Sequence, residues 1–230
     1  MITLTCQDAV LGLSSLADQS VDLIFTDPPY GIQGDQLHQH YNRDESQVVP
    51  GYCEVPADQY RDFSQSWIAQ AERVLKPTGS LYIVSGWSNL HHILNALHAS
   101  SLREINHLIA EYSFGVYTRN KWVSSHYHVL YWAKRRPYFD GGARFLNTAE
   151  SYRDRLSVQT LKREYQPGQV RNKNQLPVAF VKKFIEYSTR PGDLVVDPFA
   201  GSFSTGHAAD QLGRDAIGFD LNPAAVEAFG

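Results

Sequence analysis

Two short stretches of this 230-residue chain combine side chains that can do chemistry with a backbone suited to presenting them. The first is Asp27-Pro28-Pro29-Tyr30, directly after the apolar run at residues 21–26. The second is Asp197-Pro198-Phe199-Ala200-Gly201-Ser202, directly after Leu194-Val195-Val196. Runs of this kind, apolar on both faces, read as parallel strands covered by helices on both sides. Ligands of open α/β sheets bind outside the carboxyl ends of such strands, so both motifs fall where a site is expected.

Asp27 and Pro28 offer a carboxylate and a carbonyl as hydrogen-bond acceptors. The consecutive prolines stiffen the backbone and remove two N–H donors, which leaves carbonyls to face the site. Tyr30 adds a flat face on which an unstacked base can lie. This combination suits the exocyclic amine of a nucleobase. Such an amine is a poor nucleophile because its lone pair is delocalised into the ring, and acceptors that hold its hydrogens favour the pyramidal form. The competing reading of the tetrapeptide is a rigid turn after a strand.

In the second motif, small residues allow a ligand close to the backbone at a helix N-terminus. Asp220 ends the next apolar run, about 20 residues on, the spacing at which a carboxylate accepts from ribose hydroxyls. Together these describe a pocket for a nucleoside cofactor. The Gly-x-Gly-x-x-Gly fingerprint is absent, since Gly201 and Gly206 do not make it, and a nicotinamide cofactor is disfavoured. The competing reading is a glycine-containing turn whose Asp197 caps the helix.

Alternating strands and helices must position these motifs. Residues 2–6 read as a strand, 9–16 as a helix and 21–26 as the strand leading into Asp27. Residues 31–56 are polar and aperiodic, which predicts a long loop on the catalytic face. Phe63, Trp67, Ile68, Ala71, Val74 and Leu75 make a helical stripe over residues 60–75, stopped by Lys76-Pro77-Thr78-Gly79, and residues 81–84 follow as a buried strand. Trp87, beside Gly86 at that strand's end, can line a base pocket or join the core. A helix over 90–99 precedes strands at 105–112, 115–121 and 128–132. Residues 138–174 carry many charges and few apolar runs, which predicts an insert with little core of its own. The pattern then returns to a helix at 177–189, a strand at 193–196, a turn and helix over 200–212, and a strand at 216–219 ending in Asp220.

Composition sets the outer limits. The net charge of −3 hides a split: residues 117–190 hold 15 Lys/Arg and 5 Asp/Glu, a net of +10, against −13 for the remainder. A contiguous basic third suggests a footprint for a polyanion, with salt-sensitive binding through counterion release, although a solvated charged face has the same composition. Lys134, Arg135 and Arg136, with Arg144, Arg153, Arg155, Lys162, Arg163, Arg171 and Lys173, are the candidate phosphate contacts. No apolar run approaches the roughly 18 residues of a membrane span. The opening MITLTCQDAV has no basic n-region or apolar h-region, and Cys6 and Cys53 cannot make a disulfide framework, so a soluble cytoplasmic protein is expected. Nine histidines, including His38, His40, His91, His92, His126 and His128, form no ligand set with Cys or carboxylate spacing, and no metal is expected.

The two motifs together resemble the amino-methyltransferases of DNA, and their order, catalytic before cofactor, resembles that family's permuted β group. Val21-Asp22-Leu23-Ile24-Phe25-Thr26 leads into Asp27 as in the family, and Arg73-Val74-Leu75-Lys76-Pro77-Thr78-Gly79-Ser80-Leu81 looks like its helix-to-strand junction. Residues 125–134, SSHYHVLYWAK from Ser124 onward, are similar to its late strand pair, and residues 193–223 to its terminal cofactor half. The resemblance implies an α/β Rossmann-like methyltransferase fold, mostly parallel, with helices on both faces and a chain that begins at the third strand. One domain would then comprise a catalytic half over 1–137, a short basic recognition insert over 138–174 and a cofactor half over 175–230.

The same resemblance implies S-adenosylmethionine as cofactor and direct methyl transfer, without metal or covalent enzyme intermediate, so that catalysis rests on orientation and electrostatic placement. It assigns Asp27, Pro28, Pro29 and Tyr30 to catalysis. It assigns Asp197, Phe199, Ala200, Gly201, Ser202 and Asp220 to the cofactor. Asp8 joins them by its place in the family, although it serves equally well as a helix N-cap. Gln175 is the candidate for the cofactor carboxylate. The chain departs from the family at Phe203, where a glycine is usual and backbone approach is expected, and at Asn172-Lys173-Asn174-Gln175-Leu176-Pro177, which keeps only part of the usual run.

Adenine N6 in double-stranded DNA, its base extruded from the helix, is the expected substrate because the catalytic motif opens with Asp; cytosine-N4 relatives more often carry Ser there. Cytosine N4 and an RNA amine remain open, as does a binding module that keeps the fold without catalysis. The short insert limits contact area, which implies a short recognition sequence or help from a second subunit, such as a second copy of the chain; a restriction-modification companion and a solitary enzyme both stay open.

Overall fold

The computed structural model describes residues 1–31, 54–113, 117–162 and 175–229, and its strands join in one eight-stranded sheet. The strands are β1 (Ile2–Cys6), β2 (Val21–Thr26), β3 (Leu75–Ser85), β4 (Arg103–Glu111), β5 (His126–Ala133), β6 (Val158–Thr160), β7 (Leu194–Asp197) and β8 (Asp215–Asp220). Their spatial order is β1-β8-β7-β2-β3-β5-β4-β6. The run from β1 to β3 is parallel throughout, β5 is antiparallel to both its neighbours, and β6 adds to β4 in parallel. The first strand of the chain thus sits at an edge beside the last, as a permuted order requires.

Helices α1 (Ala9–Ser14), α2 (Tyr60–Val74) and α3 (Leu90–Ala99) come before the sheet turns antiparallel; α4 (Thr148–Asp154), α5 (Val178–Ser188), α6 (Ser204–Gln211) and α7 (Pro223–Phe229) follow. Strand alternation sends side chains to two cores. Ile24, Leu81, Ile83, Leu130 and Trp132 meet Leu13, Trp67, Ile68, Ile93 and Leu97 on one face. Leu23, Phe25, Tyr82, Val84 and Val129 meet Phe180, Val181, Phe184, Ala208 and Ala209 on the other. In α2 the buried positions Tyr60, Ser64, Trp67, Ile68, Ala71 and Val74 repeat at helical spacing along one face. The helix ends where Leu75 turns extended, and Pro77 forbids the αR conformation to Lys76 before it.

The expected elements are present with shifted ends and three differences. β3 starts at Leu75 rather than near residue 81, because its pairing with β2 resumes after an irregularity: Val21 faces Leu75 and Leu23 faces Ser80, with the Lys76 ammonium bonded to Asp22 alongside at 2.7 and 2.8 Å. The strand expected over 115–121 is not formed by the described residues 117–121, where a Thr118 hydroxyl bond to the Lys121 carbonyl at 2.6 Å closes a turn instead. Polar side chains there can satisfy the backbone locally, which competes with a ladder.

The third difference lies in the basic insert, expected to have little core of its own and assigned no elements, whose described residues contain α4 and β6. Ion pairs fasten it together with ring stacking and the burial of Leu161. Asp154 accepts from Tyr187 at 2.7 Å and Arg144 at 3.0 Å and pairs with Lys183 at 2.8 Å, while Arg144 also pairs with Glu186. Phe139 stacks on Tyr187 with ring centroids 5.4 Å apart, and the Arg190 guanidinium lies 3.8 Å over the Tyr138 ring. Burial works to raise the Asp154 pKa, but the bonds from Lys183 and Tyr187 and the nearby cations outweigh it and hold the carboxyl below its usual value. A lowered carboxyl pKa stabilises the fold fully above the unfolded value of about 4 and loses that contribution as pH falls through the folded value. Asp154→Ala is therefore expected to cost about 2 kcal/mol at neutral pH by stranding two partly buried cations. The deficit should shrink below about pH 4, as urea titrations at the two pH values would measure.

Candidate active site

Strands β7 and β2 lie side by side, with Leu23 opposite Val195 and Ile24 opposite Val196. From β2 the chain crosses through α2 on one face of the sheet, and from β7 through α6 on the other. This divergence opens a crevice at the carboxyl ends of the two strands, the switch point where α/β sheets bind ligands. Asp197 ends β7 and Asp27 follows β2, so both motifs face this crevice from chain positions 170 residues apart.

The catalytic motif is braced from several sides. The Tyr30 hydroxyl donates to Asp27 Oδ1 at 2.7 Å, and the Tyr60 hydroxyl donates to the Pro29 carbonyl at 2.7 Å. Asn89, itself left-handed at φ 56°, donates from Nδ2 to the carbonyls of Tyr30 at 2.9 Å and Gly31 at 3.1 Å. The Gly31 N–H donates to Glu54 at 2.9 Å. Gly31 has φ +66°, and a Cβ there would come 2.4 Å from the Tyr60 ring, so glycine alone fits the exit from the motif. The carbonyls of Pro29 and Tyr30 are thereby taken, whereas that of Pro28 accepts from no donor among the described residues. Gly86 lies under the Tyr30 ring, 3.2 Å from its nearest atom to an added Cβ, and Tyr127 flanks the ring at a centroid distance of 6.2 Å.

Burial raises the Asp27 carboxyl to about 7; the Tyr30 bond opposes this, and the charges of Asp197 and Glu54 add to it. Tyr60 is raised as well, by burial first and then by the charges of Glu54 and Asp27, so its hydroxyl stays a donor. Asp197, buried, accepts from Thr26 Oγ1 at 2.7 Å and the Phe199 N–H at 3.1 Å, and burial still lifts it to about 6. Its carboxylate holds the turn and the strand pair together.

The candidate cofactor loop after β7 is built on Asp220. One of its oxygens accepts from the Gly201 N–H at 2.7 Å and the other from Asn222 at 2.8 Å, and a carboxylate with about four acceptor positions keeps capacity for hydroxyl donors. Gly201 has φ +51°, and a Cβ on it would meet nothing within 4 Å, so the loop backbone borders open space. Phe199 turns away to pack on Phe63 and Trp67 at centroid distances of 5.5 and 5.4 Å, and Ala200 and Ser202 are buried. Phe203 keeps the left-handed backbone that a glycine would adopt there, at φ 53°. Its ring is 1% exposed, wedged against Gly206 and Gly218, where an added Cβ would lie 2.4 and 2.6 Å from it. The side chain at this position, where backbone approach is expected, thus sits in the core.

Other sequence candidates disperse. Asp8 caps α1, accepting from Val10 at 2.9 Å and Leu11 at 3.2 Å, while the Gln7 N–H donates to the Asp220 carbonyl at 2.9 Å and brings this corner beside the loop. Gln175 is partly buried just ahead of α5. Lys134, Arg135 and Arg136 leave β5 at the opposite, amino edge of the sheet, where Lys134 donates to the Leu75 carbonyl at 3.1 Å. Arg144 is committed to Asp154 and Glu186. Arg153, Arg155 and Lys162 are exposed, with Arg155 donating to the Ser151 carbonyl at 3.2 Å; Lys162 follows β6 at the carboxyl edge. Arg163, Arg171 and Lys173 lie outside the described residues, as does most of the loop expected over 31–56. Trp87 is 65% exposed at the end of β3, which places it outside the core. Thr26, which adjoins Asp27, and Glu54, Tyr60 and Asn89, which lie far from both motifs along the chain, brace the site without a sequence signal of their own. Among the described residues no group of three His, Cys, Asp or Glu side chains is arranged to hold a metal ion.

This arrangement has known counterparts. Among curated proteins the chain is 28% identical to the type II methyltransferase M.HpaI of Haemophilus parainfluenzae over 97% of its length, and 26% identical to M.HinfI of Haemophilus influenzae over 93%. It spans 71% and 63% of those two proteins. Its fold matches the PvuII DNA methyltransferase, described as cytosine-N4-specific, with a TM-score of 0.77 at 18% identity, covering 100% of this chain and 86% of that one. It also matches M1.HpyAVI in complex with SAM, with a TM-score of 0.71 at 21% identity, covering 99% and 97%. Residues 21–229, from the strand before Asp27 almost to the end of the chain, match the model of the N6/N4 family described as DNA methylase, and the chain belongs to that family.

Proposed function

We propose that this chain transfers a methyl group from S-adenosylmethionine to the exocyclic N6 amine of adenine in double-stranded DNA, as the modification member of a restriction-modification pair. The observation that carries this reading is the meeting of Asp27 and the Asp197 loop across β2 and β7, joined by the Thr26–Asp197 bond at 2.7 Å. A methyl acceptor held by the first and a nucleoside cofactor held by the second would share one crevice.

The open space over Gly201, next to an Asp220 carboxylate with acceptor capacity to spare, fits the cofactor's nucleoside. When bound, S-adenosylmethionine supplies a sulfonium methyl, whose bonding electrons stay on sulfur as the new C–N bond forms. The chain's own part is to prepare the amine. The Asp27 carboxylate and the Pro28 carbonyl accept its two hydrogens and localise the nitrogen lone pair. Asp27 then takes the proton that the methylated nitrogen releases, a role matched by a pKa of about 7. Tyr30, its ring fixed by the bond to Asp27 and by Gly86 beneath, supplies the stacking face.

Asp at the head of the motif favours adenine over cytosine N4, the activity in the PvuII enzyme's name. The type II methyltransferases among the relatives support DNA as the substrate. With the Phe203 ring inside the core, its bulk leaves the loop backbone uncovered for the cofactor.

Purified protein incubated with mixed-sequence DNA and methyl-labelled cofactor, then digested to nucleosides, is expected to yield label in N6-methyladenosine; label in N4-methylcytosine would transfer the proposal to that base, and none would overturn it. Asp27→Ala should lower the rate about 100-fold or more, given the usual size of general acid–base effects. The single-turnover rate should rise with pH through about 7 as Asp27 ionises. Tyr30→Phe should move that limb upward, since the lost bond had favoured the carboxylate. The raised pKa also means that Asp27 destabilises the fold increasingly between about pH 4 and 7, where the folded state binds the extra proton. Asp27→Asn should therefore melt higher than wild type at pH 8 while being inactive.

A further inference from the structure

The β4–β5 connection emerges beside Asp27. Because β5 is antiparallel to both β3 and β4, β4 runs parallel to β3, and its connection leaves at the sheet's carboxyl edge. The Tyr112 N–H donates to the Ser125 carbonyl at 2.8 Å and closes the hairpin one step beyond the strands. The Tyr112 ring lies 4.8 Å from that of Tyr127, which in turn flanks Tyr30 at 6.2 Å, so the hairpin base is packed onto the catalytic motif.

Beyond that bond the hairpin presents Tyr117, Arg119, Lys121 and Trp122, all exposed, around the turn closed by Thr118. Tyr117 is 79% and Trp122 96% exposed. A tryptophan side chain can bury 150–250 Å², and here almost none of that surface is used by the fold. Two cations within three residues of it complement phosphates on either side of a base step. Five residues separate Trp122 from Tyr127, which limits their Cα separation to about 18 Å. At about 3.4 Å per base pair, the indole reaches the pairs next to the one whose base enters the site.

We propose that Trp122 inserts into duplex DNA beside the target base and occupies the stack that the base leaves, with Arg119 and Lys121 on the flanking phosphates. This rests on the reading of the substrate as duplex DNA with an extruded base. Apolar or aromatic wedges of this kind open a base step at an unstacking cost of a few kcal/mol, least where the target base is unpaired. The insertion therefore matters for a paired target and hardly at all for one already free to leave the helix.

The test compares two duplexes that carry the methylated sequence mapped by the labelling assay, one with the target base paired and one with it opposite an abasic site. Trp122→Ala is expected to lose about tenfold or more in kcat/KM on the paired duplex and less than about threefold on the abasic one, with Trp122→Phe in between. The fluorescence of 2-aminopurine at the target position should rise on binding wild type and much less on binding Trp122→Ala. Equal losses on both duplexes, or none on either, with wild type active would overturn the wedge alone. An inactive wild type on every duplex would overturn the proposed function beneath it.

Discussion

A single hydrogen bond, from the Thr26 hydroxyl to the Asp197 carboxylate at 2.7 Å, joins the two halves of the site. It crosses the boundary between β2 and β7, where the chain turns to opposite faces of the sheet and no covering helix can close the crevice. The same carboxylate receives the Phe199 N–H, so the turn that leads to the cofactor loop is set by the residue just ahead of the catalytic motif. Displacement of either strand would move both motifs. A rigid sheet is the natural support for a reaction whose catalysis is largely placement.

Placing three acidic side chains at one crevice has an electrostatic consequence. Asp27 and Asp197 are raised to about 7 and about 6, mainly by burial, and the charge of Asp197 adds to the first as that of Asp220 adds to the second. The desolvation that destabilises these carboxylates would, under the proposed function, also tune Asp27 toward proton transfer near neutrality. The two cores on either face of the sheet offset the cost, and the braces from Tyr60, Asn89 and Gly31 keep the strained corner in one conformation.

The cations of the basic third divide between two places. Arg144 and Lys183 neutralise Asp154 and dock the insert on α5, and Lys134 holds carbonyls at the far edge. The cations that remain at the carboxyl edge, among them Arg119, Lys121 and Lys162, are the ones a polyanion approaching Asp27 would meet. A count of charges along the chain weighs all of them alike, because it carries no information on which edge of the sheet each strand exit reaches.

The alternation of apolar runs was enough to place both Asp-Pro motifs at strand ends of an α/β sheet, and the resemblance carried by the motifs and their order implied the permuted arrangement. Those signals are local: strand burial, proline geometry and glycine tolerance act within a few residues. The same local reading assigned the Phe203 side chain to the loop, because only the packed sheet supplies Gly206 and Gly218 as the space that draws the ring inward. It assigned no elements to the insert, because the ion pairs that fasten its described residues come from α5, up to 42 residues away. Thr26, Tyr60 and Asn89 were invisible for the same reason: each acquires its role from a partner that only strand order brings near. Sequence by itself determined the chemical groups and the layered architecture, through local periodicity; tertiary structure alone decided which groups meet, because desolvation and hydrogen bonding between distant segments exist only once the sheet has closed.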